Sequence, residues 1–120
     1  MYESGENYLE TILMLSKKNA SVRSIDIARE LNFSKPSVSR AMGLLKESGH
    51  IEVMENGGIV LTELGLEKAS SVLERHETLT RFLMETTGVS EEIAEADACK
   101  IEHDISEEVF LGVKEFLKRK

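Results

Sequence analysis

The fold is decided by residues 24–61, which read SIDIARELNFSKPSVSRAMGLLKESGHIEVMENGGIVL. Apolar residues recur at helical spacing in two parts of this stretch. They are Ile25, Ile27, Ala28 and Leu31 in the first part, and Val38, Ala41, Met42 and Leu45 in the second. Ser24 and Ser34 stand where N-caps are expected, and Gly49 follows the second apolar stripe. The stretch therefore predicts two helices, the first ending near Asn32, joined by a tight turn.

A β-hairpin is predicted directly after these helices. The apolar segments 51–54 and 59–61 flank Asn56, Gly57 and Gly58, which are typical hairpin turn residues. Another helix is predicted over residues 6–15. The order of helix, short helix, tight turn, helix and hairpin is that of a winged helix-turn-helix, so the fold class is mainly α with a small β-hairpin.

In such a fold the third helix lies in the major groove of double-stranded DNA. Its first turns carry small hydroxyls, which allow close approach, and long cations, which can reach phosphates or a guanine edge. The candidate DNA-binding residues are Ser34, Lys35, Pro36, Ser37, Ser39 and Arg40. A polar helix face is often only solvated, and it is the complete order of elements that favours DNA binding here.

The second half of the chain is predicted to be helical throughout. One long helix covers about 64–84, a second about 91–103 after Ser90, and a third follows Ser106. We therefore divide the chain into a DNA-binding domain, residues 1–62, and a helical dimerisation domain, residues 63–120, whose further role depends on the residues described below. Several apolar residues of the second domain are expected to need a partner, which predicts a homodimer. They are Ile93, Ile105, Val109, Phe110 and Val113.

Charge and composition bound the remaining possibilities. The net charge is −7, but residues 1–60 hold seven Lys/Arg against eight Asp/Glu, so the acidity lies in the second half and a local basic face remains possible. No apolar run approaches the ~20 residues needed to span a bilayer, and no signal peptide is recognisable, which predicts a cytoplasmic protein. The sequence has no glycine-rich phosphate loop or nucleophile elbow, so we do not expect an enzyme.

The segment 99–103 carries the chemistry of a metal site. If it is helical, Cys99, Glu102 and His103 project from one face and offer a thiolate, a carboxylate and an imidazole. The simpler interpretation is a buried cysteine beside an ordinary solvated face. One helix cannot complete a coordination shell, so further ligands must come from elsewhere in the chain.

Five segments together resemble the DtxR/MntR family of metal-dependent bacterial transcriptional regulators. They are Asn7-Tyr8-Leu9-Glu10-Thr11-Ile12, Ser34-Lys35-Pro36-Ser37-Val38-Ser39, Leu61-Thr62-Glu63-Leu64-Gly65, Arg75-His76-Glu77 and Ala98-Cys99-Lys100-Ile101-Glu102-His103-Asp104-Ile105-Ser106. The resemblance implies a homodimer in a short two-domain form, without the SH3-like domain of longer relatives. It also implies metal ligands at Glu10, His76, Cys99, Glu102, His103 and Asn7.

The implied ligand set departs from both branches of the family. Glu10 is similar to the manganese branch and Cys99 to the iron branch, while Asn7 stands where those branches have Asp or Met. A second metal position like that of the iron branch would involve Glu95 and Thr80, and Thr80 is a poor ligand. The implied cofactor is a divalent transition metal, Mn(II) or Fe(II).

The sequence therefore predicts a metal-responsive transcriptional regulator of the repressor type. Two alternatives stay open. One is a winged-helix regulator that senses a small organic ligand without metal. The other is a metal-binding or protein-interaction module that does not bind DNA.

Overall fold

The computed structural model describes residues 3–119, with side chains from Gly5 onward. This part of the chain contains six helices and one two-stranded hairpin. They run in the order α1 (Glu3–Lys18), α2 (Ser24–Leu31), α3 (Lys35–Glu47), β1 (Ile51–Val53), β2 (Ile59–Leu61), α4 (Glu63–Thr87), α5 (Glu91–Ile101) and α6 (Glu107–Lys118). The predicted fold class, mainly α with a winged helix-turn-helix, is confirmed. No helix in the described range is long and apolar enough to cross a membrane.

The chain forms two compact units that divide between Ser70 and Ser71, within α4. The core of the first unit is built from the apolar faces of α1, α2 and α3 and from the hairpin. Its fully buried side chains include Leu9, Ile12, Ile27, Val38 and Ile51. The antiparallel hairpin pairs Ile51 with Leu61 and Val53 with Ile59. These buried faces fix α3 by its inner side and leave its other side exposed.

The start of α2 differs from the prediction. Ser24 is the first helical residue, and the N-cap is Arg23, so the assignment of Ser24 as N-cap was wrong. The backbone N–H of Arg23 donates to the Asp26 carboxylate at 2.9 Å. An acidic side chain at the third helical position reaches back to the cap in this way, and it replaces the cap that a serine would supply. The Ser34 cap of α3 is confirmed, because its Oγ accepts from Ser37 N at 3.3 Å.

Gly65 lies inside α4 for a steric reason. A Cβ at this position would lie 1.9 Å from the carbonyl oxygen of His50. Thr62 Oγ1 accepts from Gly65 N at 3.1 Å and donates to the carbonyl of Gly49 at 2.6 Å. The start of α4 therefore lies directly against the chain that enters the hairpin, and only glycine permits this approach.

The second unit contains the rest of α4 together with α5 and α6. The predicted caps Ser90 and Ser106 are confirmed, with Ile93 N and Val109 N as their donors. Phe110, which we expected to need a partner chain, is 3% exposed within its own chain. The predicted helix over 91–103 was too long, because α5 ends at Ile101 and Glu102 is its C-cap.

Candidate functional site

The N-terminal turns of α3 present the predicted DNA-binding residues to solvent. Val38 is buried, and all six candidates around it are exposed: Ser34, Lys35, Pro36, Ser37, Ser39 and Arg40. Ser34 also donates its hydroxyl to Ser37 Oγ at 2.8 Å. The exposed face thus offers two cations, several hydroxyls and a capped helix start, which are the groups that contact phosphates and base edges.

A histidine–carboxylate pair, in which the histidine is half-buried and the carboxylate is buried, lies in the second unit. His76 is on α4, Glu102 caps α5, and the distance between His76 Nδ1 and Glu102 Oε2 is 2.9 Å. Glu102 is 1% exposed, although an ionised carboxylate is rarely buried unless it is paired or bound to a cation. The contact joins two residues that are 26 positions apart in the sequence.

The other oxygen of this carboxylate accepts no hydrogen bond. Glu102 Oε1 lies 3.2 Å from His103 Nε2, but the two groups are not oriented as donor and acceptor. Buried polar atoms without a partner are uncommon and need a specific reason. A bound cation would satisfy this oxygen, so the donors fit the metal that the sequence implies.

Nearby groups add nitrogen and oxygen donors. The His103 side chain is 3% exposed, and His76 Nε2 lies 3.9 Å from Glu95 Oε2 of α5. This distance is too long for a hydrogen bond, and Glu95 is largely exposed. Imidazole suits iron and carboxylate suits manganese, so a mixed set of this kind is compatible with Fe(II) or Mn(II).

The structure brings His76, Glu102 and His103 together within the second unit, but it leaves Cys99 exposed on α5. The predicted single helical face of Cys99, Glu102 and His103 is wrong in extent. The helix ends at Ile101, so Glu102 lies at its cap and His103 in the turn that follows.

The two other predicted ligands lie on α1 in the first unit. Glu10 is a buried carboxylate and Asn7 is half-buried. Between them, Tyr8 packs its ring edge-to-face on Phe33, with the ring centroids 5.9 Å apart. Burial raises the pKa of Tyr8, so this phenol stays neutral and has a packing role.

Arg75 was quoted above as part of the segment Arg75-His76-Glu77, but the sequence assigned it no role. Arg75 donates to two backbone carbonyls of the turn after α5 and to the carboxylate of Glu107. The only signal in the sequence was its place directly before His76. Its partners lie 27 to 32 residues further along, where no local pattern points to them.

Comparison with known proteins matches nearly the whole chain to two family descriptions. Residues 1–59 match "Iron dependent repressor, N-terminal DNA binding domain", and residues 62–119 match "Iron dependent repressor, metal binding and dimerisation domain". Together with the winged helix-turn-helix, these matches define a class of DNA-binding regulators that carry a metal-binding and dimerisation domain.

Individual relatives agree with the family matches. The HTH-type transcriptional regulator MJ0568 of Methanocaldococcus jannaschii is 34% identical over 120 residues, which are 99% of this chain and 96% of the relative. The transcriptional regulator MntR of Escherichia coli O157:H7 is 34% identical over 114 residues, which are 95% of this chain and 73% of that protein. The chain belongs to the DtxR/MntR family of metal-dependent transcriptional regulators, and the predicted resemblance is confirmed.

Among solved structures, the manganese regulator SloR is similar with a TM-score of 0.86 and 26% identity. The match covers 97% of this chain and 54% of the SloR chain, so this chain spans about half the length of that structure.

Proposed function

We propose that this protein is a cytoplasmic transcriptional repressor, not an enzyme, which binds a double-stranded DNA operator as a homodimer when it holds a divalent transition metal, Mn(II) or Fe(II). The observation that carries the proposal is the buried Glu102 carboxylate, which contacts His76 through Oε2 and keeps Oε1 without a hydrogen bond. The family names support it, since they describe iron-dependent repressors and a manganese regulator.

The proposed domain boundary separates DNA binding from metal binding and dimerisation. Residues 1–62 bind DNA, and residues 63–120 bind metal and dimerise. The two matched family descriptions, residues 1–59 and 62–119, support this division.

The proposed ligands are of two kinds. His76, Glu102 and His103 are supported by their contacts in the second unit. Glu10, Cys99 and Asn7 are supported by the family resemblance, and Glu10 also by its burial. A bound cation supplies positive charge, which favours the ionised form of nearby carboxylates and removes their mutual repulsion.

We propose that the metal regulates operator binding by shifting the protein between two conformations. Without a bound cation, the buried carboxylate of Glu102 destabilises the conformation in which it is held. The contact with His76 offsets only part of the cost of its desolvation. A conformation that gathers the ligands is favoured when the cation binds, and it is the one we propose for operator binding. Lys35 and Arg40 of α3 contact the DNA in that state.

A chelator test decides between this function and its alternatives. We expect a DNA fragment containing the operator to be bound in the presence of Mn(II) or Fe(II) under anaerobic conditions and released by a chelator, as measured by fluorescence anisotropy. The matched control is the same chelator already saturated with metal, which should leave the complex intact.

Other outcomes of this test support other functions. Binding that the chelator does not change favours a regulator of a small organic ligand. Metal uptake without any DNA affinity favours a binding module. Either result contradicts the proposal.

The proposed dimer interface includes the exposed apolar side of α6. Val109 is 55% exposed, and Phe116, seven residues further along the same side of the helix, is 37% exposed. Large apolar side chains aligned on one exposed helix side are suited to an interface with a partner. We expect Val109→Asp to raise the dimer dissociation constant about tenfold or more, because it places an uncompensated charge in the interface. Sedimentation equilibrium at micromolar concentration measures this change.

Ser71→Asp is the matched control, since it adds the same charge at an exposed polar position of α4. We expect it to remain dimeric. A wild-type protein that is monomeric with and without metal would contradict the homodimer.

A further inference from the structure

The turn between α5 and α6, residues 102–105, carries two of the proposed ligands, and Arg75 of α4 holds its backbone at both ends. Arg75 Nη1 donates to the carbonyl oxygen of Glu102 at 3.1 Å and to that of Ile105 at 3.2 Å. Carbonyls at the end of a helix lack partners within the helix, and a cation at that end is favoured by the helix dipole. One guanidinium group therefore satisfies carbonyls at the start and at the end of the turn.

The guanidinium group is itself held in place. Arg75 Nη2 donates to Glu107 Oε2 at 2.8 Å, and its central carbon lies 5.0 Å from the centre of the Phe110 ring. Phe110 is buried, and the Arg75 side chain is 18% exposed. A planar fork with several donors can make all these contacts at once. A lysine ammonium group on a flexible chain cannot reproduce them.

Two consecutive residues of α4 thus fix Glu102 at two points. Arg75 holds its backbone carbonyl, and His76 contacts its carboxylate oxygen Oε2. Both the main chain and the side chain of Glu102 are restrained, while Oε1 keeps its capacity to accept. The restraint orients the carboxylate without using the oxygen that would bind a cation.

We propose that Arg75 is a positioning residue of the metal centre, which holds the turn 102–105 in its ligand-presenting conformation before the cation binds. The inference rests on the proposed function, because it assigns Glu102 and His103 as ligands. If loss of Arg75 lowered the population of this conformation to a tenth, the apparent dissociation constant of the metal would rise about tenfold.

The test uses Arg75→Lys in the full chain, which keeps the charge but loses the fork. We expect the dissociation constant for Mn(II), measured by competition with a chromophoric chelator, to rise about tenfold. At saturation, the absorption spectrum of bound Co(II) should be that of the wild type, because the ligands themselves are unchanged. The matched control is Arg81→Lys on the same helix, where an exposed arginine pairs with Glu85, four residues further along. Its affinity for Mn(II) should equal that of the wild type.

The measurements are made well below the unfolding temperature of each variant, which circular dichroism determines without metal. A merely structural role would lower that temperature and leave the dissociation constant unchanged, and this result overturns the inference. If Arg81→Lys and the wild type bind no metal, the proposed function itself fails. If they bind and Arg75→Lys binds as tightly, only the positioning role fails.

A second measurement tests whether the turn 102–105 is formed before metal binding, and it can contradict the proposal even if Arg75→Lys does not fold. The amides of Asp104 and Ile105 donate to the Ile101 carbonyl at 3.1 and 3.2 Å. A turn that is formed before metal binding protects them from hydrogen exchange in the metal-free wild type. Exchange at the rate of an open chain would show that the turn is not formed in advance and would overturn the proposal.

Discussion

Glu102→Gln is expected to lower the affinity for Mn(II) and Fe(II) about a hundredfold and to abolish metal-stimulated operator binding. Residues that only support a ligand typically contribute about 10- to 100-fold to metal affinity, so a buried ligand should reach at least the upper end of that range. The substitution keeps the volume of the side chain and removes its negative charge. Chelator competition and operator binding by anisotropy measure the two effects.

The stability of the metal-free protein separates a ligand from a structural carboxylate. Glu102 Oε1 is buried without a hydrogen bond, and a neutral amide is less costly to bury than a carboxylate. We therefore expect the unfolding temperature of metal-free Glu102→Gln to equal or exceed that of the wild type. Functional sites often reduce stability in this way.

Glu108→Gln is the matched control, because it makes the same chemical change at an exposed position of α6. It should retain wild-type metal affinity. Wild-type affinity in Glu102→Gln would show that the metal site is misplaced. A large loss of stability without a change in affinity would make Glu102 a structural residue.

The double variant Lys35→Ala/Arg40→Ala is expected to lose most of its affinity for the operator while it keeps its metal affinity. A base contact by Arg40 is worth about 1 to 3 kcal/mol at the preferred site, and its loss relaxes the sequence preference there. Loss of a phosphate contact by Lys35 weakens binding to all DNA sequences alike. It also lowers the slope of the logarithm of affinity against the logarithm of salt concentration by about one. Titrations of operator and unrelated DNA at several salt concentrations distinguish the two roles.

Lys118→Ala/Arg119→Ala is the matched control, since it removes two positive charges at the end of α6 and leaves α3 intact. Equal losses in both double variants would indicate that only the net charge matters. Unchanged operator affinity in Lys35→Ala/Arg40→Ala would contradict the assignment of α3 as the recognition helix.

The sequence by itself determined the elements whose signals are local. Ser34, Ser90 and Ser106 each cap a helix as predicted, because an N-cap hydroxyl bonds to a backbone N–H only three residues ahead. The turn around Asn56 and Gly57 likewise gives the hairpin from its own residues. The prediction that Ser24 is an N-cap was wrong, because the Asp26 carboxylate accepts from the backbone N–H of Arg23 and the cap therefore lies one residue earlier.

The alternation of buried and exposed residues on α3 was also available from the sequence. Val38, Met42 and Leu45 are buried at helical spacing, and the polar residues between them are exposed. A helix has one geometry, so the spacing of apolar residues determines which side packs against the core. The face proposed to bind DNA follows directly from that periodicity.

Tertiary structure alone decided which distant groups meet. His76 and Glu102 are 26 residues apart, and Arg75 reaches carbonyls 27 and 30 residues away. Family resemblance suggested the first pair, but nothing in the sequence suggested the contacts of Arg75. The sequence likewise did not predict that Phe110 is buried against the Arg75 guanidinium. It also placed the end of α5 two residues too late. Caps, turns and helix faces depend on neighbours within about four residues. The position of the Glu102 carboxylate depends instead on how α4, α5 and α6 pack, because packing brings together backbone and side-chain groups that are far apart in the sequence.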